Sequence, residues 1–188
     1  ERHYLFRKGF LETRGEPFHN LRRAKMDAYI FDHCTIEVSD FDLIIGRHST
    51  EFVMSAEQHL EADEAQRMFD AVGMYQSGAM TASTGHRVID YELLLREGVS
   101  GVLARVREAR EALDPHTPEF HEKNITYRSM EISLSALIRF GARARAVLLA
   151  LAEQTEDAER RAQLESLSWI DPNPAVLERM LDLIIAIS

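Results

Sequence analysis

The stretch that decides the fold is residues 119–154, "EFHEKNITYRSMEISLSALIRFGARARAVLLALAEQ". It contains no proline, and its apolar or small residues return at alternating steps of four and three. This spacing predicts one long helix with a heptad-like seam. The seam residues are Met130, Leu134, Leu137, Gly141, Ala144, Leu148 and Leu151. The small residues at its middle leave room for a neighbouring backbone to approach closely.

The flanking sequence predicts further helices joined by short links. Helical spacing covers residues 1–13, 18–34, 56–72 and 90–113, with a break at Gly98. Ser55 is the expected N-cap of the third of these helices. The runs "TIEV" and "DLIIG" predict one short β-hairpin or extended pair near residues 35–46. We therefore expect a mainly α protein, with residues 1–188 forming a single antiparallel helical bundle.

Composition excludes several classes of function. The chain has 188 residues and a net charge of −9, which argues against nucleic-acid binding and against docking on anionic membranes. A single cysteine, Cys34, rules out an internal disulfide and fits a cytoplasmic protein. Neither HExxH nor CxxC occurs, so no metal site is expected.

The candidate site residues lie in "TASTGHRVIDYELLLREG", residues 81–98. His86 follows a glycine in an expected loop, where an imidazole can exchange a hydrogen bond with a substrate hydroxyl. Alternatively, His86 binds only the start of the next helix. Asp90 is a second candidate for substrate contact, and its simpler interpretation is a helix-start residue favoured by the helix dipole.

Other charged or reactive groups have simpler interpretations. Cys34 is expected to be a small buried residue rather than a nucleophile, because acidic neighbours at positions 32 and 37 would raise its pKa. The remaining charged clusters are interpreted as solvated helix faces. They are Arg22–Arg23, Arg160–Arg161 and the acidic run of Glu61, Asp63 and Glu64.

Three segments, taken in order, resemble one enzyme family. They are "GEPFHNLRRAKMDAYIFDHCTIEVSDFDLIIG" (15–46), "GHRVIDYELLLREGVSGVL" (85–103) and "YRSMEISLSALIRFGARARAVLLALA" (127–152). Together they resemble the N-terminal helical part of glycyl radical enzymes, in the pyruvate formate-lyase-like and glycerol dehydratase-like branch. The resemblance covers roughly residues 1–170.

The resemblance implies a chain that works only as part of a larger α/β barrel. The thiyl-forming cysteine and the radical-bearing glycine of the family are not in this chain, and Cys34 is in the wrong place to replace the former. The complete enzyme would dehydrate or cleave a small polar substrate under anaerobic conditions, as a lyase, dehydratase or acyltransferase. A separate activase, using S-adenosylmethionine and an iron–sulfur cluster, would install the glycyl radical.

The same resemblance implies partners and roles. The rest of the barrel, the activase and a second copy of the chain would be partners, and no cofactor would bind this chain directly. His86 and then Asp90 would contact substrate, with Tyr91 in the core. The apolar end "LDLIIAIS" also suggests that more chain follows.

Two alternatives remain open at this stage. In the first, the chain is a non-catalytic helical interaction module, and its partner surface is the seam at Leu134, Leu137, Gly141 and Ala144. In the second, the chain is a helical sensor of a small molecule, and binding of that ligand would stabilise the chain against thermal unfolding.

Overall fold

A computed structural model of the chain describes residues 1–39, 52–71 and 90–168. All elements in these ranges are helices, and none of the described residues forms a strand. The helices are α1 (Arg2–Glu12), α2 (His19–His33), α3 (Ala56–Ala71), α4 (Tyr91–Glu111), α5 (Phe120–Gln154) and α6 (Ala158–Leu167). The prediction of a mainly α protein is therefore confirmed.

The long helix α5 is the centre of the packing. Helices α2, α4 and α6 all pack on α5, whereas α1 packs on α2 and α3 packs on α1. One buried cluster joins Phe10, Met26 and Ala65, which belong to α1, α2 and α3. A second joins Leu148 and Ala152 of α5 to Leu164 of α6. Apolar faces at helical spacing thus bury against neighbouring helices, as the sequence pattern requires.

Burial along the predicted seam of α5 is uneven. Ala144 and Leu148 are fully buried, but Met130 is 43% exposed and Leu137 is 39% exposed. Leu148 is covered because α6 brings Leu164 into the same cluster. The predicted seam is therefore more exposed in its N-terminal half than in its C-terminal half.

The predicted hairpin or extended pair near residues 35–46 is not supported. Residues 35–39 form no strand, and the rest of that range lies outside the described residues. Side chains bind the backbone of this segment instead. The backbone N–H and the hydroxyl of Thr35 donate to Glu1 Oε1 at 2.9 and 2.7 Å. Arg160 Nη2 donates to the carbonyl of Ser39 at 2.6 Å.

Helix starts follow the expected capping chemistry. Ser55 Oγ accepts from the backbone N–H of Gln58 at 3.2 Å, and the Gln58 side chain accepts from Ser55 N–H at 2.8 Å. This reciprocal pair is a capping box, which satisfies two backbone donors at once. The prediction of Ser55 as N-cap of α3 is confirmed.

Candidate functional site

Asp90 is the candidate site residue that the structure describes. It is the N-cap of α4, and its Oδ1 accepts a hydrogen bond from the backbone N–H of Leu93 at 2.9 Å. The side chain is exposed. The interpretation of Asp90 as a helix-start residue is confirmed. Among the described residues, the one hydrogen bond to this carboxylate is the bond to Oδ1.

His86 lies outside the described residues, so its role stays a prediction. Its place in the chain is bounded by Asp90, which follows it by four residues. Four fully extended residues span at most about 14 Å. The start of α4 therefore determines the region that His86 can reach.

Helix α4 bends sharply between Asp90 and its C-terminal half. Gly98, which is buried, has φ 65° and ψ 173°, far from helical values. An ion pair crosses the bend, with Arg105 Nη1 lying 3.2 Å from Glu97 Oε1. The predicted break at Gly98 is confirmed, although the two halves follow each other directly rather than through a loop.

The described helices also enclose an open cleft of about 510 Å³. Its lining comes from α2, α4 and α5 and contains both apolar and polar side chains: Asn20, Arg23, Ala24, Asp27, Val102, Val106, Ser129, Met130, Ser133 and Leu134. Val102 and Val106 of this lining follow the bend at Gly98, whereas Asp90 precedes it. A smaller cleft of about 380 Å³ lies where α2 and α5 begin, beside Phe18 and His121.

Arginines from α5 hold the C-terminal end of α2. Arg143 donates to the carbonyls of Phe31 and Cys34 at 2.6 and 2.7 Å. Arg139 makes two bonds to the carboxylate of Asp32, at 2.8 and 2.7 Å. The bonds from Arg143 satisfy carbonyls that a helix end otherwise leaves unpaired. The sequence places Arg139 and Arg143 four residues apart, on one face of α5, but it gives no sign of their partners on α2.

The arginine pairs are not simply solvated, which corrects the sequence interpretation. The Arg22 guanidinium lies 3.9 Å from the ring centroid of Phe10 and donates to the Phe10 carbonyl at 3.1 Å. Burial lowers the pKa of Arg22. Arg23 pairs with Asp27 at 3.1 Å, and Arg160 binds Ser39 as described above.

The acidic run on α3 also has a structural role. Glu61 pairs with Lys8 of α1 and accepts a hydrogen bond from the hydroxyl of Tyr4 at 2.8 Å. The Lys8 ammonium, and then the Tyr4 hydroxyl, lower the pKa of Glu61. The bond to Glu61 raises the pKa of Lys8. Glu61 thus docks α3 on α1, and its interpretation as a solvated residue is wrong.

Cys34 is a buried residue at the end of α2, as expected. It is 7% exposed, and its thiol donates to the carbonyl of Phe31 at 3.9 Å. Burial is the main reason that its pKa is raised, and the nearby Arg143 guanidinium opposes the shift. Desolvation rather than the neighbouring acids therefore dominates, since Asp32 is paired with Arg139.

In residues 1–39, 52–71 and 90–168, no three histidine, cysteine or acidic side chains are grouped so that they could hold a metal ion. No helix within those ranges is both long enough and apolar enough to span a bilayer.

Residues 57–171 match the family described as pyruvate formate lyase-like, and this range is more than half of the chain. The chain belongs to the pyruvate formate lyase-like family. The resemblance to glycyl radical enzymes seen in three sequence segments is thereby confirmed. One relative of this pyruvate formate lyase-like chain is the (2S)-3-sulfopropanediol dehydratase of Klebsiella oxytoca. The two are 31% identical over 87 residues, which are 46% of this chain and 10% of the dehydratase.

Solved structures share the fold of this pyruvate formate lyase-like chain. The glycerol-bound B12-independent glycerol dehydratase of Clostridium butyricum matches 89% of the chain with a TM-score of 0.75 at 22% identity. A Roseburia inulinivorans structure concerned with 1,2-propanediol dehydration matches 92% with a TM-score of 0.76 at 20% identity. The chain spans 28% and 27% of these two chains, respectively.

Proposed function

We propose that this chain is the helical part of a glycyl radical enzyme that dehydrates a small vicinal diol. Its membership of the pyruvate formate lyase-like family carries the proposal, because the matched residues 57–171 include both site candidates. The names of its relatives support a diol, since sulfopropanediol, glycerol and 1,2-propanediol all carry hydroxyls on neighbouring carbons. Residues 1–188 would form one helical domain beside the barrel.

In this proposal His86 contacts the hydroxyl that leaves. An imidazole ordinarily ionises near neutral pH, so it can donate a proton to a departing hydroxyl, which then leaves as water. Asp90 accepts a hydrogen bond from a substrate hydroxyl through Oδ2. A carboxylate has two acceptor oxygens, so capping through Oδ1 is compatible with this second role.

The radical group, when present, supplies abstraction of a hydrogen atom from the substrate. Its cysteine and glycine would belong to polypeptide outside this chain. Cys34 does not fit the thiyl role, because its sulfur is buried beside the Phe31 carbonyl and is not displayed to a substrate. We therefore expect no catalysis from this chain alone. The complete enzyme would be a cytoplasmic, anaerobic homodimer, served by a radical-installing activase that uses S-adenosylmethionine and an iron–sulfur cluster.

The proposal is tested on the complete polypeptide that contains this chain, prepared without oxygen together with its activase and S-adenosylmethionine. Propane-1,2-diol, glycerol and 3-sulfopropane-1,2-diol are supplied separately, and aldehyde release is measured beside the electron paramagnetic resonance of the glycyl radical. We expect His86→Gln to lower kcat by about 100-fold or more at unchanged radical content. His116→Gln is the control, because that side chain is exposed in the turn before α5. Full activity of His86→Gln, or a radical that turns over none of the diols, would refute the proposal.

The exposed half of the α5 seam favours a second candidate, a helical interaction module. Met130 and Leu137 lie seven residues apart and are both partly exposed. A module would bind a partner through this stripe without any radical chemistry. Met130→Glu/Leu137→Glu in the complete polypeptide separates the two ideas. If the double variant no longer forms a complex with a partner but keeps full dehydration activity, the interaction module is an additional function. If the wild-type protein never forms a glycyl radical, the interaction module replaces the enzyme as the preferred function.

A further inference from the structure

Two glycines, Gly98 and Gly101, permit the bend in α4, each for a different reason. Gly98 has φ 65° and ψ 173°, a region that only glycine occupies without strain. Within the described residues it has the only positive φ. A residue with a Cβ at this position would favour another backbone geometry. Gly98 therefore supplies the change of direction between Tyr91–Glu97 and the rest of α4.

Gly101 supplies the space that this change of direction requires. A Cβ added to Gly101 would lie 2.7 Å from the Cβ of Glu97. In an ordinary helix, the Cβ atoms of residues four apart are separated by about 5–6 Å. The bend thus brings Glu97 close to position 101, and only a residue without a side chain fits there.

Glu97 is then held in place by arginines on both sides of the bend. Arg105 Nη1 lies 3.2 and 3.4 Å from the two carboxylate oxygens of Glu97, and Arg96 Nη2 lies 3.2 Å from one of them. The side chain of Glu97 is only 25% exposed. The bonds from Arg105 join the two halves of α4 and oppose straightening at Gly98, whereas the bond from Arg96 lies within the first half.

A change in the bend angle moves the start of α4 by a distance that grows with the length of the segment between them. Eight residues separate Gly98 from Asp90, which corresponds to about 12 Å of helix. Changing the bend by about 20° moves the far end of such a segment by about 4 Å. Groups in a catalytic site must be held within about 0.5 Å of their working positions. A small change in the bend angle therefore produces a large displacement of Asp90.

We infer that Gly98 and Gly101 are positioning residues, which direct the first two turns of α4 and so place Asp90 in the substrate site. The inference rests on the proposed function for its effect on activity, whereas the geometry of the bend can be tested separately. Neither glycine touches substrate in this scheme. Both act through the direction of the helix.

The structural test measures a distance from the first half of α4 to α5. Spin labels are placed at Glu92→Cys and Arg145→Cys, both exposed positions, in a Cys34→Ala background of this chain. We expect Gly101→Ala to shift the mean distance by about 2–3 Å, because position 92 lies about 9 Å beyond the bend. Glu97→Gly added to Gly101→Ala removes the opposing Cβ together with the ion pair to Arg105. If the clash is the cause of the shift, this double variant should give the same distance as Glu97→Gly alone. Gly15→Ala is the matched control, since a Cβ there meets nothing within 4 Å.

The functional test uses the complete enzyme with the same glycine variants. We expect Gly101→Ala and Gly98→Ala to lower kcat by at least about tenfold, with unchanged glycyl radical content and a smaller change in KM, while Gly15→Ala behaves as wild type. An unchanged distance in Gly101→Ala would overturn the inference at the bend. A shifted distance with normal kcat would overturn the positioning role and leave the proposed function intact if His86→Gln is still inactive. An enzyme inactive on every diol would instead sink the proposed function, and the distance measurement would still decide the bend.

Discussion

Replacing Arg143 by methionine tests how much the α2–α5 contact stabilises the fold. Methionine keeps most of the aliphatic stem and removes the guanidinium, which donates to the carbonyls of Phe31 and Cys34 at 2.6 and 2.7 Å. A hydrogen bond from a charged group contributes about 1.5–3 kcal/mol net. Arg143 is half-buried, so the lower end applies to each bond. The expected loss is about 3 kcal/mol.

Thermal unfolding of this chain, followed by circular dichroism, gives the measurement. For a protein of this size each kcal/mol corresponds to about 2–4 °C, so Arg143→Met should lower Tm by about 6–12 °C. Arg145→Met is the matched control, because it lies on the same helix with an exposed side chain. An exposed substitution of this kind changes stability by less than about 0.5 kcal/mol.

Arg139→Met provides a graded comparison on the same helix. Its two bonds to Asp32 are short, but the Arg139 side chain is 51% exposed. Exposed ion pairs contribute about 1 kcal/mol or less and weaken with salt. We therefore expect a small loss for Arg139→Met that shrinks in 1 M NaCl, and a large, salt-insensitive loss for Arg143→Met. If Arg143→Met unfolds within 2 °C of Arg145→Met, the carbonyl contacts do not stabilise the fold and the reasoning fails.

Three further predictions concern separate parts of the chain. The lowered pKa of Glu61 and the raised pKa of Lys8 mean that their pairing stabilises the fold above about pH 4.3 and below about pH 10.4. The Tm difference between wild type and Glu61→Gln should therefore be largest between these limits and vanish as pH falls through the lowered carboxyl pKa; a difference that persists at pH 2 would contradict this. Cys34 is buried with a raised pKa, so iodoacetamide should alkylate it at least about tenfold more slowly in the native chain than in urea, and equal rates would show that it is accessible. Asp90→Ala should cost about 1 kcal/mol through loss of the α4 cap, whereas Asp90→Asn should be nearly neutral; equal Tm values for the two variants would argue against the cap.

Local sequence patterns predicted the helices well because their causes lie within a few residues. The predicted helix over 119–154 is observed as Phe120–Gln154, and the predicted start after Ser55 is observed at Ala56. The break at Gly98 was also predictable, since glycine disfavours a helix interior. Each of these features depends on propensity, capping or spacing along one segment.

Contacts between segments could not be predicted in the same way. A guanidinium reaches several ångströms from its helix, so its partner depends on how two helices are rotated relative to each other. That is why Arg22 was assigned to solvent but lies over Phe10. The strand expectation for residues 35–39 is not supported, for a related reason. β-Branched residues such as those near Thr35 favour a strand only when a second strand is available to pair with them.

Stability and site geometry are assigned to different residues in this chain, which makes them separable by experiment. Arg143 and Glu61 fix helices to each other, and neither is on the segment that leads to Asp90. Gly98 and Gly101 contribute no side chain to the packing, yet they set the direction of that segment. Arg143→Met should therefore lower Tm strongly and change kcat little, when kcat is measured well below the unfolding temperature. Gly101→Ala should lower kcat strongly and change Tm little. This opposite ranking follows only if the bend positions the site, because a purely structural glycine would lower both in proportion.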